Sequence, residues 1–475
     1  MTISTTTGHN APSSGQSNQL RAGALGTGTI VFLVTSAAAP MAAIAGSGSL
    51  AILLGNGAGV PGAYLIACVI LLLFSVGYTA MAQHVRKAGG FYAFTERGLG
   101  RTAGGASAFV ALFGYNAMLM GIYGLFGAAA DLLFNGAFGI VLPWWVYSGL
   151  AWVLVAWLGY RQIDLSAKVL TVLVLLEYAI VLILDFAIGS AGGPEGGLTL
   201  APFAPANVFG GSIIIALLFV FGAFVGFEAT TIYSEEARDP GRTIPRATYI
   251  SVILIGLFYA LTSYGMVIGG GPTKVVDAVG GLQDPTSFLF VLSETYLGTG
   301  FTLLMRVLFV TSVFASLVAF HNSAARYFFV LGRDGLLPAS LGTAHEAHGS
   351  PHVGSVTQTI ATAIVVVAFA LAGQDPILAL FSWLTGVGTL AIIGVMAAAS
   401  FAVLVFFQSE KPAGASTLSL TLAPIAAGII LTILFVFTVL RFDVLTGPLN
   451  IMTIILPLLI PVFALAGAVM GRQSR

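Results

Sequence analysis

The stretch Phe221-Gly222-Ala223-Phe224-Val225-Gly226-Phe227-Glu228 sets two glycines and a carboxylate inside an apolar run over 208–234. Glycines and a carboxylate at membrane depth are tolerated where backbone lines a cavity, so this segment reads as a broken span. The surroundings are of the same kind. The chain has 475 residues, 57% hydrophobic and 8% charged, with 18 Lys+Arg against 18 Asp+Glu, and a mean hydropathy of +0.99. Soluble proteins carry roughly a quarter charged residues, so a soluble enzyme and a disordered scaffold are excluded. A formal net charge of +0 leaves no electrostatic case for a nucleic-acid partner. The lone cysteine, Cys68, supplies neither a disulfide framework nor a thiolate metal site. The chain's partner is a lipid bilayer.

Apolar stretches recur at about 27–53, 61–84, 105–134, 144–163, 165–189, 208–234, 247–270, 299–331, 355–372, 376–406, 419–440 and 450–470. They are continuously apolar rather than alternating, which selects an all-α polytopic protein of about twelve transmembrane helices over a barrel. Residues 1–20 are mostly Ser, Thr, Gly, Asn and Gln with few apolar residues and no Lys, Arg, Asp or Glu, read as a disordered tail without the basic start of a signal peptide. Only Lys274 and Arg441 fall clearly on one side, with Arg306 near a helix end there; the other basic residues, from Arg21 to Arg475, fall on the opposite side. The positive-inside rule then expects both termini in the cytoplasm and a multi-pass protein of the cytoplasmic (inner) membrane.

The first span carries a second interruption. Ser36-Ala37-Ala38-Ala39-Pro40 puts a proline in mid-membrane, followed by Gly46-Ser47-Gly48. Interruptions in spans one and six occupy corresponding places in two five-helix halves, about 27–189 and 208–406, although no residue-level repeat links them. This pattern points to an inverted-repeat secondary transporter with its site at the midplane.

Three motifs carry a resemblance. Gly226-Phe227-Glu228-Ala229 runs into Ser234-Glu235-Glu236-Ala237-Arg238-Asp239-Pro240 and Arg242-Thr243-Ile244-Pro245-Arg246-Ala247. Lys87-Ala88-Gly89-Gly90-Phe91-Tyr92-Ala93-Phe94 precedes them and Gly332-Arg333-Asp334-Gly335-Leu336-Leu337-Pro338 follows. In this order they resemble the amino acid–polyamine–organocation (APC) transporter family. The resemblance implies a leucine-transporter-type 5+5 core over 21–406 with helices one and six broken, and two additional helices over 407–475. It also implies uptake or exchange of amino acids or related amines by alternating access, with no enzyme activity and no cofactor. One departure stands out. The family's Gly-Ser-Gly at the first break, whose amides hold a substrate carboxylate, aligns with Ala37-Ala38-Ala39 before Pro40, which has no amide hydrogen. Gly46-Ser47-Gly48 lies over two turns too far along.

A substrate amino acid needs an anion receptor and a cation receptor, and half-helix ends supply both. The expected substrate-binding residues are Ser36, Ala37, Ala38, Ala39 and Pro40 with Phe221, Gly222, Ala223 and Phe224. Phe221 or Phe224 is placed to act as a lid, or else packs against helices. Tyr115 and Asn116 form a polar pair toward the cavity, or an interhelical tie. Glu177, midway along span five, is placed for proton coupling, because a carboxyl desolvated there can take up and release a proton near neutral pH; the plain alternative is a fixed bond to Ser312 or Ser316. Gly226 and Glu228 belong to gating or to tying the unwound backbone.

Ala315, Ser316 and Ala319 offer one hydroxyl where a sodium site wants two, so H+ ranks above sodium as the coupling ion, beside uncoupled exchange. His321 reads as a satisfied core histidine. His345, His348 and His352 read as a solvated loop, and no metal set is expected. Arg86 and Lys87 face Glu235 and Glu236 as an inner gate or as topology markers. Asp131, Asp185 and Arg306 are expected to snorkel at outer helix ends. Rival functions are a polyamine or amino-alcohol permease, a non-transporting sensor of this fold, and a membrane enzyme, for which no convergent nucleophile set exists. The small-molecule substrate's identity and the oligomeric state are not written in the sequence.

Overall fold

The computed structural model describes residues 25–85, 90–161, 167–235, 237–345, 350–410 and 418–473. The 1–20 tail, Arg86, Lys87, Glu236 and His348 lie outside the described residues. So do the side chains of Ser36, Ala37 and Glu235.

The first span is two pieces, α1 (Thr27–Ala37) and α2 (Pro40–Ala43), the second continuing through π-helical turns at Ile44–Gly48 and Ala51–Asn56. Ala39 between them adopts left-handed angles (φ 43°, ψ 74°), and Pro40 begins α2 without an amide hydrogen, so the ladder of α1 cannot run on. The break therefore falls within Ser36–Pro40, while Gly46-Ser47-Gly48 stays helical and buried. The chain reverses at Gly55–Gly57, where Gly57 has φ +57°, and returns as α3 (Val60–Ala82). A short helix α4 (Phe91–Leu99), buried over its first five residues, leads to α5 (Arg101–Phe138), α6 (Trp144–Arg161) and α7 (Ala167–Ala191), completing one half.

The second half opens with α8 (Ile213–Phe224), which stops at Val225 (φ −57°, ψ 130°) and Gly226 (φ +115°) before a 3-10 helix, Phe227–Glu235. Phe221 to Phe224 are thus the last turn of α8, and the break follows them. Then come α9 (Pro240–Gly270), α10 (Thr299–Arg333), α11 (His352–Leu371) and α12 (Ser382–Ser409), the last entered through a π-helical turn capped by Asp375. Two more helices, α13 (Ala423–Leu440) and α14 (Met452–Gln473), pack on α12 and α5.

Among the described residues ten helices are long and apolar enough to cross a membrane, and one of them, Pro40–Ala82, is two spans joined at the Gly55–Gly57 reversal. Adding α6, whose 18 residues include four tryptophans, gives twelve. Breaks in the first member of each five-span half make this a leucine-transporter-type fold. At ~1.5 Å per residue the 38 residues of α5 reach about 57 Å, well past a ~30 Å apolar core.

The three sequence motifs meet at the end of the bundle bearing Arg97, Arg238 and Arg333. Tyr92 on α4 donates to Asp334 Oδ2 at 2.9 Å, and Arg97 pairs with Glu410 at 2.7 Å. Leu25, before α1, bridges Ala237, whose neighbour Arg238 donates its N–H to Leu25 O at 3.0 Å.

The peripheral helix α14 sits close to α5 because both are glycine at the crossing: a Cβ on Gly105 would overlap the Gly467 carbonyl. Gly105→Val should therefore lower the melting temperature of the detergent-purified protein by several degrees, on the order of 1–3 kcal/mol for overpacking. An unchanged melting curve would show that the two helices are not held at this spacing.

Candidate functional site

A cavity of about 50 Å³ opens where the two broken spans cross. Span one contributes Ala38, Ala39, Ala42, Ala43 and Ser47; α8 and its break contribute Phe219, Gly222, Ala223 and Val225. The walls are completed by Met118, Ile122 and Leu125 of α5, Ser316 and Phe320 of α10, and Phe381, Thr385 and Thr389 at the start of span ten. No charged side chain is among them. The space suits roughly three or four waters at ~10–15 Å³ each, so a ligand of amino-acid size requires the walls to move apart.

Each break is served by one buried carboxylate, on the side where a helical segment begins. Glu177 of α7, 2% exposed, accepts the Met41 N–H at 3.2 Å and the Ser312 hydroxyl at 2.8 Å through Oε2. Met41 is the second residue of α2, and Pro40 before it has no N–H to offer. Glu228 accepts the Gly226 N–H at 2.8 Å and the Tyr115 hydroxyl at 2.6 Å. Carboxylates belong at such ends, where amide hydrogens point outward and the helix dipole is positive. The opposite ends, at Ala37 and Phe224, present carbonyls, and the Tyr259 hydroxyl donates to Ala38 O beside the first of them at 3.4 Å.

Several expected residues stand elsewhere. Ala38, Ala39, Gly222, Ala223 and Ser316 line the cavity; Pro40, Phe221, Phe224, Tyr115 and Asn116 do not. Phe224 is packed between Tyr64 and Tyr259, with ring centroids at 6.4 and 6.0 Å, because α8 turns that face toward α3 and α9. Asn116 donates within its own helix, to Leu112 O at 2.7 Å. Tyr115 lies a turn below the cavity, where it ties α5 to Glu228. Around that bond, Tyr78 meets Thr231 Oγ1 at 2.9 Å, and the Tyr327 ring lies tilted against Tyr115 with centroids 5.7 Å apart. This polar, aromatic layer separates the cavity from the basic end. On the other side, Phe381 rests so near the first span that a Cβ on Gly46 would lie 3.0 Å from its ring. The Gly46-Ser47-Gly48 unit thus permits a close approach rather than a break.

Of the residues set aside earlier, His321 bonds to Ser355 Oγ at 2.9 Å. Asp185 corrects the snorkelling expectation: its Oδ2 accepts from Thr262 at 2.9 Å across α7 and α9, and its Oδ1 is buried without a donor among the described residues. Helix depth alone could not distinguish an outward from an inward side chain. Phe381, Thr385 and Thr389 were not anticipated. The only signal for them is the i, i+4 spacing of the two threonines in an apolar span.

The amino acid permease family profile matches residues 26–475. The chain is 24% identical over 289 residues to the low-affinity putrescine importer PlaP of Escherichia coli, covering 59% of this chain and 61% of that protein. It is 27% identical over 343 residues to the branched-chain amino acid permease BcaP of Bacillus subtilis, covering 66% and 69%. It thus spans about three fifths of the first of these relatives. A crystal structure of the Eremococcus coleocola manganese transporter shares the fold at a TM-score of 0.56 and 14% identity, over 96% of this chain and 98% of that one. The chain belongs to the amino acid permease family.

Proposed function

We propose that the protein is a secondary transporter that moves neutral amino acids or related amines across the cytoplasmic membrane by alternating access, coupled to protons through Glu177. The observation that carries this reading is the uncharged cavity at the crossing of two broken helices, with a buried carboxylate bonded to each break. Half-helix ends around an apolar pocket bind a small zwitterion or ammonium without a charged side chain. Basic residues at one end of the bundle support cytoplasmic termini. Proton over sodium is supported by Ser312, whose hydroxyl is engaged by Glu177, leaving Ser316 as the cavity hydroxyl of α10. The Escherichia coli relative is a putrescine importer, but a polycation favours acidic walls, and no carboxylate lines this cavity.

Proteoliposomes separate the parts of this reading. Glu177→Gln should make uptake insensitive to an inward proton gradient while exchange of internal for external substrate continues. An unchanged response to the gradient would remove Glu177 from coupling.

A further inference from the structure

Glu177 occupies the end of α2 that would attract a ligand's carboxylate. The helical run from Pro40 to Asn56 points its first amides toward the break. Of these, Pro40 has none and the Met41 N–H is held by Glu177 at 3.2 Å. The cavity reaches the same end from the other side, through Ala38, Ala39 and Ala42. Ser312, which bonds Glu177, and Ser316, which lines the cavity, are one turn apart on α10, so the carboxylate lies about one helical turn (~5–6 Å) from the cavity wall.

Among the described residues the surroundings of Glu177 hold no cation. Tyr178 faces it from its own helix and Tyr259 from α9. α1 and α2 contain no titratable residue, α10 meets it through Ser312, and the helix Phe288–Leu297, which also packs on α7, carries Glu294 paired with Arg306. Asp185 is two turns along α7 and engaged by Thr262. Two anions a turn apart in this apolar interior, sharing one helix end, repel strongly. The carbonyl ends at Ala37 and Phe224 carry no such competition and favour an ammonium.

We propose that Glu177 and the substrate's carboxylate compete for the positive end of α2, so that a carboxylate-bearing substrate binds together with one proton on Glu177, whereas the corresponding amine binds without it. This rests on the transporter reading above and names the chemistry of its coupling: the proton neutralises the internal carboxylate that the substrate's carboxylate displaces from the helix end. The ammonium group is recognised in both cases.

The test compares L-leucine with 3-methylbutylamine, which is leucine without its carboxylate, and extends to other amino acids and their decarboxylated amines. Binding to the purified full chain is measured by calorimetry from pH 5 to 9, in buffers of different ionisation enthalpy. The amino acid is expected to take up about one proton and to weaken about tenfold per pH unit above the titration of Glu177; the amine is expected to take up none. In Glu177→Gln the amino acid should bind with no proton uptake, and its pH slope should match that of the amine. Equal proton uptake by acid and amine in the wild-type chain would overturn the proposal, without need of any variant. Binding of amines alone would overturn it as well while leaving an amine transporter standing. If no amino acid or amine binds at any pH, the transporter reading itself fails, and the proposal with it.

Discussion

Glu228→Ala is expected to cost both stability and transport. The carboxylate is 5% exposed and joins the Gly226 N–H, at the break of span six, to the Tyr115 hydroxyl on α5. Removing it takes the acceptor away from two part-buried donors, on the order of 1 kcal/mol each. The same deletion loosens the layer of Tyr78, Tyr115 and Tyr327 that closes the cavity from the basic end. A protein whose inner closure is weakened should expose that side more of the time. Alkylation of a cysteine introduced at Ala223 should then become faster from the basic side, and net uptake should fall at least tenfold. Glu228→Gln retains one acceptor and should lie between the two. If Glu228→Ala melts and transports like the parent, the carboxylate is neither a tie nor a gate.

Gly222→Leu should remove binding while sparing the fold. Gly222 lines the cavity, and a Cβ there would already sit 2.8 Å from Thr389 Oγ1. A larger side chain has only the cavity to enter, so every ligand of the site loses room at once. A decrease of about a hundredfold in affinity corresponds to ~3 kcal/mol, a modest figure for a filled pocket. The control is Gly149→Leu, on α6, where an added Cβ meets nothing within 4 Å. Substrate counterflow in proteoliposomes reads both variants. Near-normal counterflow in Gly222→Leu would place the substrate elsewhere than in this cavity.

These expectations rest on features of unequal visibility in the sequence. The first break was legible because a proline without an amide hydrogen cannot sit silently in an apolar span, and Pro40 marks the site to within two residues. Glu177 was legible because a carboxylate in a run of Val and Leu needs a partner, and Ser312 was one of the two hydroxyls in reach. The sixth-span break was placed a few residues early, because Gly222 and Gly226 look alike in a string. Only Gly226 adopts the left-handed angles that require glycine, at φ +115°. The role of Phe224 was not legible, since the face it presents depends on how α8 leans on α3 and α9. Thr385 and Thr389 were hidden for a similar reason. A threonine in an apolar helix can bond its own backbone, as Thr385 does to Phe381 O at 2.7 Å, and so gives no outward sign of a cavity. Residue types thus revealed where the backbone breaks, while the cavity walls came from packing.

The central claim is that the uncharged cavity between the two breaks carries a small amine or amino acid across the membrane. Purified protein in liposomes, with an inward proton gradient and a panel of radiolabelled amino acids and amines, tests this most directly. Accumulation of at least one of them above protein-free liposomes, lost in Gly222→Leu and retained in Gly149→Leu, is the expected result. No flux of any of them under proton, sodium or exchange conditions would contradict it.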